Sequence, residues 1–327
     1  MYAARRNLCA LVIALAAATA ARSPAAQAQT ADYPTKSIHL IVPFPPGGGV
    51  DLLSRLVGQS LNASWGQPVV IENRPGVAGT LAGEYVAQQP ADGYTVLITV
   101  PTHMVVRELF SKPKYDPVRD FIPVTLLISS PFVWLVAPGQ PFHTLKDLVD
   151  YAKSNPLSYG TSGVGSPQHV HIEVFNLKYG TQFQHVAYRG VAPAMNDVAG
   201  GHIPSAIGEF GSSKQLIETG KVGALAIMAP KRNAALPDLP TFAEAGYPGF
   251  DQGTWFGAFV RAGTPKAIVD KLAAELTRLI RSPEMGARLK EYGWEAGGGT
   301  PEEFAAYADE AAERDAQAIR QRNIRIE

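Results

Sequence analysis

Residues 43–51 read PFPPGGGVD, between the apolar run HLIV (39–42) and a helical pattern that begins near Asp51. Prolines fix the approach of the chain, and Gly47, Gly48 and Gly49 leave backbone N–H groups uncovered. Those amides lie at a helix start, where four donors have no partner within the helix and an anion can be received. No Lys-Ser/Thr follows the glycines and the spacing is not G-x-G-x-x-G, so nucleotide hydrolysis is not expected. A tight turn capped by Asp51, with no ligand, is an equally good local account.

Other strand ends have the same character. GTSGVGSPQ (160–168) combines glycines with Thr161, Ser162 and Ser166 before a helix, a set of hydroxyl and amide donors suited to a carboxylate. A nucleophilic Ser162 lacks its elbow, because Val164 stands where G-x-S-x-G needs glycine. His169, His171 and Glu173 resemble a metal set, but residues two apart on a helix diverge, so no metal is expected. Thr102 and His103 follow a strand in TVPTHMVV, and Arg189 ends another in AYRGVAP, where a guanidinium can clamp a carboxylate. Glu209-Phe210 and Trp255-Phe256 stand at further strand ends, as core or as ligand wall. No loop pairs a nucleophile with a base, and no cofactor motif is present. The loops read as binding, not catalysis.

The elements that hold these loops alternate. Strands at 37–44, 68–74 and 95–100 are separated by helical patterns at 51–61 and 79–89, which implies βαβ units and a largely parallel sheet. FIPVTLLISS and FVWLVAP (121–137) are two extended runs with no helix between them, where the chain can pass to a second domain. Strands at 157–161, 183–189, 203–210 and 223–229 then alternate with helices at 144–155, 166–180, 192–199 and 212–219. A strand over 255–265 precedes a helix at 267–282, with Thr264 as its cap and Pro265 in its first turn. Thr300-Pro301-Glu302-Glu303 opens a last helix over 303–320. The fold class is α/β, in two lobes, with the C-terminal segment returning to the first.

The N-terminus has the layout of a secretory signal peptide over residues 1–28: Arg5 and Arg6, the apolar run 8–21, and Ala26-Gln27-Ala28 as cleavage site. Its removal takes away Cys9, the one cysteine, and turns a formal charge of zero into about −3. Without thiols, disulfides and cysteine-ligated metals are excluded. With 46% hydrophobic and 18% charged residues and no basic run, the rest reads as a soluble, exported globular protein without a nucleic-acid footprint.

YPTKSIHLIVPFPPGGGVD, WGQPVVIENRPGVAG, ADGYTVLI, KYDPVRDFIPV, YGTSGVGSPQH, VAYRGVAPAM, LPDLPTFAEAGYPGF, TWFGAFVRAGTPK and GGTPEEFA together resemble the Bug proteins. These are periplasmic solute-binding receptors of tripartite tricarboxylate transporters, and the likeness covers the whole chain beyond the leader. The resemblance implies a type II periplasmic-binding-protein fold, with lobe 1 formed by 29–130 and 254–327 and lobe 2 by 131–253. It implies a monomer that binds a small carboxylate in a cleft, without cofactor or metal, and hands it to large and small membrane subunits. Carried over, the ligand site is Phe44, Pro45, Gly48 and Gly49, with Thr102 and His103, facing Thr161, Ser162, Gly165, Ser166, Tyr188, Arg189 and Gly190. Glu209 and Trp255 complete it.

Two departures bear on the ligand: Arg189 stands where the family often has lysine, and Glu209-Phe210 where it commonly has Asp-Asn. The second hints at a flatter or aromatic ligand. Dicarboxylates, tricarboxylates, aromatic acids such as terephthalate or nicotinate, amino acids and amides all remain open. A ligand sensor for a signalling protein, and more remotely an exported serine hydrolase, are the alternative functions.

Overall fold

The structure is a computed structural model that describes residues 32–76 and 79–326. The expected signal peptide, with Arg5, Arg6, Cys9 and the cleavage site at Ala28, lies outside the described residues.

Two mixed sheets form the framework. In the first, β1 (Ile38–Val42) pairs in parallel with β2 (Val69–Asn73) and β3 (Thr95–Thr99), through crossover helices α1 (Gly49–Trp65) and α2 (Thr80–Ala87). A 3-10 turn (Pro101–His103) and the short α3 (Val106–Leu109) lead to β4 (Phe121–Ser130). β5 (Phe132–Val136) follows after Pro131 alone, and it belongs to the second sheet. There, α4 (Leu145–Ser154), β6 (Leu157–Thr161), α5 (Pro167–Tyr179), β7 (Phe183–Ala187), α6 (Val191–Ala199), β8 (Ser205–Glu209), α7 (Phe210–Glu218) and β9 (Gly223–Met228) follow in order. The chain returns with β10 (Thr254–Arg261), α8 (Lys266–Ile280), α9 (Pro283–Glu291), the two-residue β11 (Glu295–Ala296) and α10 (Pro301–Arg322). The strand orders are β11-β4-β10-β3-β1-β2 and β7-β6-β8-β5-β9.

The sequence suggests a largely parallel sheet, and three neighbouring strands of each sheet are parallel. β10 runs antiparallel to both β3 and β4, and β5 runs antiparallel to both β8 and β9. The difference arises at the crossings. β5 changes sheets after one proline with no crossover helix before it, as a parallel partner would need, and β10 returns from the second sheet through residues 229–253. Both faces of β5 are covered: Phe132 and Trp134 join one apolar cluster, Val133 and Leu135 another. That accounts for its unbroken run FVWLV. Burying the Trp134 side chain completely contributes about 4–6 kcal/mol by area.

Several helix starts follow side-chain signals in the sequence, and one expected cap fails. Thr144 with Asp147 and Thr300 with Glu303 form capping boxes, and Ser166 caps α5 ahead of Pro167. Thr264 does not cap α8. Pro265 takes that place, and the Thr264 hydroxyl donates back to Arg261 O at 2.7 Å.

The two crossings lie side by side. Thr254 pairs with Ser130, and a Cβ on Gly253 would stand 2.0 Å from Ser130 O and 2.6 Å from Pro131 Cα. The obstacle is backbone, which cannot rotate aside. Gly253→Ala is therefore expected to lose about 1–3 kcal/mol by overpacking. Urea unfolding of the purified variant checks it; an unchanged midpoint would mean that the crossing has slack.

Candidate functional site

Three helix N-termini meet at a cavity of about 240 Å³. α1 brings Gly48, Gly49 and Val50, α5 brings Pro167 and Gln168, and α6 brings Gly190, Val191, Ala192 and Pro193. Each helix follows the carboxyl end of a parallel strand, where α/β sheets place their ligands. The volume is small even for a ligand pocket, so the space suits a molecule of few heavy atoms. Its walls are mostly apolar, from Phe44, Pro45, Pro46 and Val100 as well as the helix starts. Polar side chains enter at a few points: Ser162, Gln168, Arg189, Asn196, Glu209 and Thr254.

The first loop is held from behind. Gly47 adopts φ 94°, open to glycine, and its N–H donates to Asp51 Oδ2 at 3.1 Å. Asp51 also accepts from Arg55 and from Asn73 Nδ2, and Asn73 in turn donates to Phe44 O at 3.0 Å. Burial raises the Asp51 carboxyl, but the bonds from Arg55, Asn73 and Gly47 outweigh it and hold the group below its ordinary range. Asp51 thus braces the turn, while the N-cap Gly48 has no side chain to occupy the helix amides. The two accounts left open by the sequence are compatible: the turn is capped by Asp51 and its first amides still face the cavity.

The second and third loops are stitched together. Gly190 N–H donates to Ser162 O at 3.1 Å, and Tyr188 N–H to Thr161 O at 3.2 Å. Ser162 Oγ donates to Gln168 Oε1, which leaves the buried Gln168 Nε2 without a partner. Gly165, at φ 72°, donates its N–H to His169 Nδ1 at 3.0 Å. That nitrogen must therefore be unprotonated, and burial, then His185, then Arg322 push His169 down to about 3. His169 stacks on His185 at 3.8 Å, while His171 turns away to Pro167 O and the edge of Phe132. Below them Glu173 accepts from Arg322 of α10 at 2.5 and 2.8 Å.

Of the residues expected to bind, Phe44, Pro45, Gly48, Gly49, Ser162, Arg189, Gly190 and Glu209 line the cavity. Arg189 is exposed and forms no hydrogen bond or ion pair among the described residues. The others do not line it. Thr102 donates to Gly165 O at 3.3 Å, and His103 is buried among Tyr115, Phe121 and Phe259, its pKa lowered by burial to about 3. Thr161 is buried against His185, Gly165 sits against Leu109, and Ser166 serves as a helix cap. Tyr188 gives its hydroxyl to Asp197, and Trp255 belongs to the apolar cluster with Phe259 and Phe304. These residues build the wall from behind.

The sequence reading missed Pro46, Val50, Val100, Pro167, Gln168, Val191, Ala192, Pro193, Asn196 and Thr254. Helix periodicity was the available signal for the first turns of α5 and α6. Positions 192, 193 and 196 follow Arg189 at helical spacing. Nothing comparable marks Val100 or Thr254.

Two α/β lobes with helix starts converging on one small, donor-lined cavity define a bilobal solute-binding protein of the type II periplasmic-binding-protein fold. The chain belongs to the family described as "Tripartite tricarboxylate transporter family receptor" (TctC), which matches residues 53–324, and within it to the Bug group. Three solved structures resemble it closely. R. palustris Rpa4515 with adipate is 36% identical with a TM-score of 0.86, covering 90% of this chain and 100% of that one. The periplasmic binding protein BugD is 31% identical, with a TM-score of 0.84 and coverage of 90% and 100%. MatC from Rhodopseudomonas palustris with bound malate is 31% identical, with a TM-score of 0.82 and coverage of 88% and 100%.

The neutral histidines behind the loops set an acid limit. Burial lowers His103 and His169 to about 3 and His185 to about 4, well under the usual 6.5. The unfolded chain takes up these protons first, so stability is present above pH 6.5 and is lost as pH falls toward 4. The expected loss approaches about 1.4 kcal/mol per pH unit for each histidine. Denaturant unfolding between pH 7 and 4.5 checks it, and His185→Gln should lower the slope by about a third.

Proposed function

We propose that this receptor captures a small carboxylate in the periplasm by closure of its two lobes and delivers it to a tripartite tricarboxylate-type membrane transporter. The observation that carries the reading is the convergence of three helix N-termini, with the Gln168 amide and Arg189, on one cavity of about 240 Å³. A carboxylate loses strong hydration on entry, and amides without internal partners replace it at little reorganisation cost. Each helix terminus adds a partial positive charge of the right sign. The adipate and malate held by two related proteins support the ligand class.

In this reading the ligand's anionic end lies on the amides of Gly48 and Gly49, with Gln168 and Arg189 as side-chain donors, while Gly190 and Ser162 are held by their bonds to Ser162 O and Gln168. Phe44, Pro45, Val50 and Val191 enclose its carbon skeleton. Thr102, His103, Thr161, Gly165, Ser166, Tyr188 and Trp255 support these groups without touching the ligand. The lobes are residues 29–130 with 254–327, and 131–253, consistent with the division of the strands between the sheets. Export by the N-terminal leader, cleaved near Ala28, fits the periplasmic setting of BugD. Among the described residues no helix is long and apolar enough to cross a membrane, and the transporter's large and small subunits supply that passage. A nucleophilic role for Ser162 is disfavoured by its bond to Gln168 and by the engagement of His169 Nδ1 with Gly165.

A thermal-shift screen with adipate, malate, citrate, terephthalate, nicotinate and neutral diamides is expected to give its largest shifts with the carboxylates. Ligand at a hundred times its dissociation constant adds about 2.7 kcal/mol. A panel in which no acid moves the midpoint would remove the reading. Gly49→Ala should weaken the best acid at least about tenfold, since its Cβ would meet Glu209 Oε2 at 2.7 Å and the Phe256 ring at 3.1 Å. Titration calorimetry measures that loss, and an unaltered constant would place the ligand away from α1.

A further inference from the structure

Glu209 is the one acidic side chain on the cavity wall among the described residues, and it stands at the place assigned to the ligand's anionic end. Its residue is only 7% exposed, its Oε2 has no hydrogen-bond partner, and that oxygen faces Gly49 at the start of α1. Across the same space Gln168, 1% exposed, holds an equally unpartnered Nε2. Buried polar atoms left without partners are uncommon in folded proteins, and two on one cavity wall mark where a ligand completes the bonding.

A ligand carboxylate and an ionised Glu209 cannot both occupy this volume, because two like charges a few ångströms apart in a desolvated site force one to take a proton. The surrounding charges do not relieve the conflict. On α1, Asp51 is already bound by Arg55 and Asn73. On α7, Lys214 is paired with Glu218, and on the β7–α6 turn Arg189 is exposed and makes no ion pair with Glu209. β5 carries no titratable residue, the one on β10 is Arg261 at its far end, bound to Gln89 O, and at the start of α5 the His169 ring is committed to Gly165.

We propose, resting on the receptor reading above, that Glu209 is the specificity-determining residue. It takes one proton from solvent as the carboxylate enters, and its Oε2–H then donates to a ligand carboxylate oxygen beside the Gly49 amide. The proton returns to solvent when the ligand leaves. In its protonated form such a site selects a ligand end that accepts a hydrogen bond. The empty site is poised for this exchange. Burial pushes the Glu209 carboxyl up to about 7, against the opposing pull of the Gly49 amide.

The sign of the pH dependence follows. Below about pH 7 the empty receptor already holds the proton, and affinity is independent of pH. Above it, each unit of pH makes the protonated form about tenfold scarcer, so the dissociation constant of a fully ionised diacid rises about tenfold per unit. The test is titration calorimetry of the exported full-length receptor with adipate and malate from pH 6 to 9, in two buffers of different ionisation enthalpy. Wild-type protein is expected to take up close to one proton per ligand at pH 8.5 and almost none at pH 6. E209Q, which carries a permanent N–H donor, should take up none, show a flat profile, and bind more tightly than wild type at pH 8.5.

A flat wild-type profile without proton uptake overturns the proposal while leaving the receptor reading intact. So does an E209Q variant that loses binding while wild type binds more tightly as pH rises, because Glu209 would then be accepting a bond from the ligand. If E209Q does not fold, the wild-type proton count decides alone. If no acid binds at any pH, the receptor reading fails and the proposal falls with it.

Discussion

A carboxylate leaves water only where other donors stand ready, and the amides at the start of a helix are donors whose partners the helix itself cannot supply. The organisation of this molecule follows from bringing three such starts to one small volume. β1, β6 and β7 each end at the cavity and turn there into α1, α5 and α6. That requires parallel strands within each sheet and opposed carboxyl ends between the sheets. At two of the three starts, α1 and α6, the N-cap is glycine and no side chain occupies the amides, whereas α5 starts at Ser166, which caps it.

Bare amides would be of little use on loops free to collapse, and the structure places the stiffening outside the cavity. Asp51 and Asn73 tie the first turn to β2 through Phe44 O, and the His169 ring fixes Gly165 from below. His169 sits above Glu173, and Glu173 is bound by Arg322 from the last helix. The second turn is thereby connected, through Glu173, to a residue 149 positions beyond Glu173 along the chain. Several of the buried polar side chains, Asp51, Thr102, Ser166 and His169 among them, are thus spent on holding the loop backbone in place.

This division explains what could be read from the sequence. Glycine, proline and hydroxyl residues at the ends of apolar runs declare a turn whatever its surroundings, so PFPPGGGVD and GTSGVGSPQ were legible as strand-to-helix loops. The capping motif at Thr300 was legible for the same reason, because its partners lie three residues apart. Which side of a loop meets the cavity was not legible. Thr102 and His103 share the polarity of true lining residues, yet the ring of His103 is enclosed by Tyr115, Phe121 and Phe259, which come from distant stretches of chain. Trp255 faces Phe304 for a similar reason, while its neighbour Thr254 reaches the cavity. Gln168 went unnoticed because its meaning depends on an oxygen already taken by Ser162 and a nitrogen left over.

The paired crossings between the sheets carry a mechanical consequence. Two independent tethers would let one half of a protein slide, twist and tilt against the other. Here the ends of β4 and β10 are joined in register at Thr254 and Ser130, with Gly253 laid directly on the neighbouring backbone. A narrow two-stranded ribbon bends easily across its plane and resists shear along its length. For the proposed closure that leaves something close to a single axis, like the strap of a box lid. In the proposed closure, such a hinge returns the same three helix starts to the same positions, and the geometry of capture is reproduced without any step that searches for it.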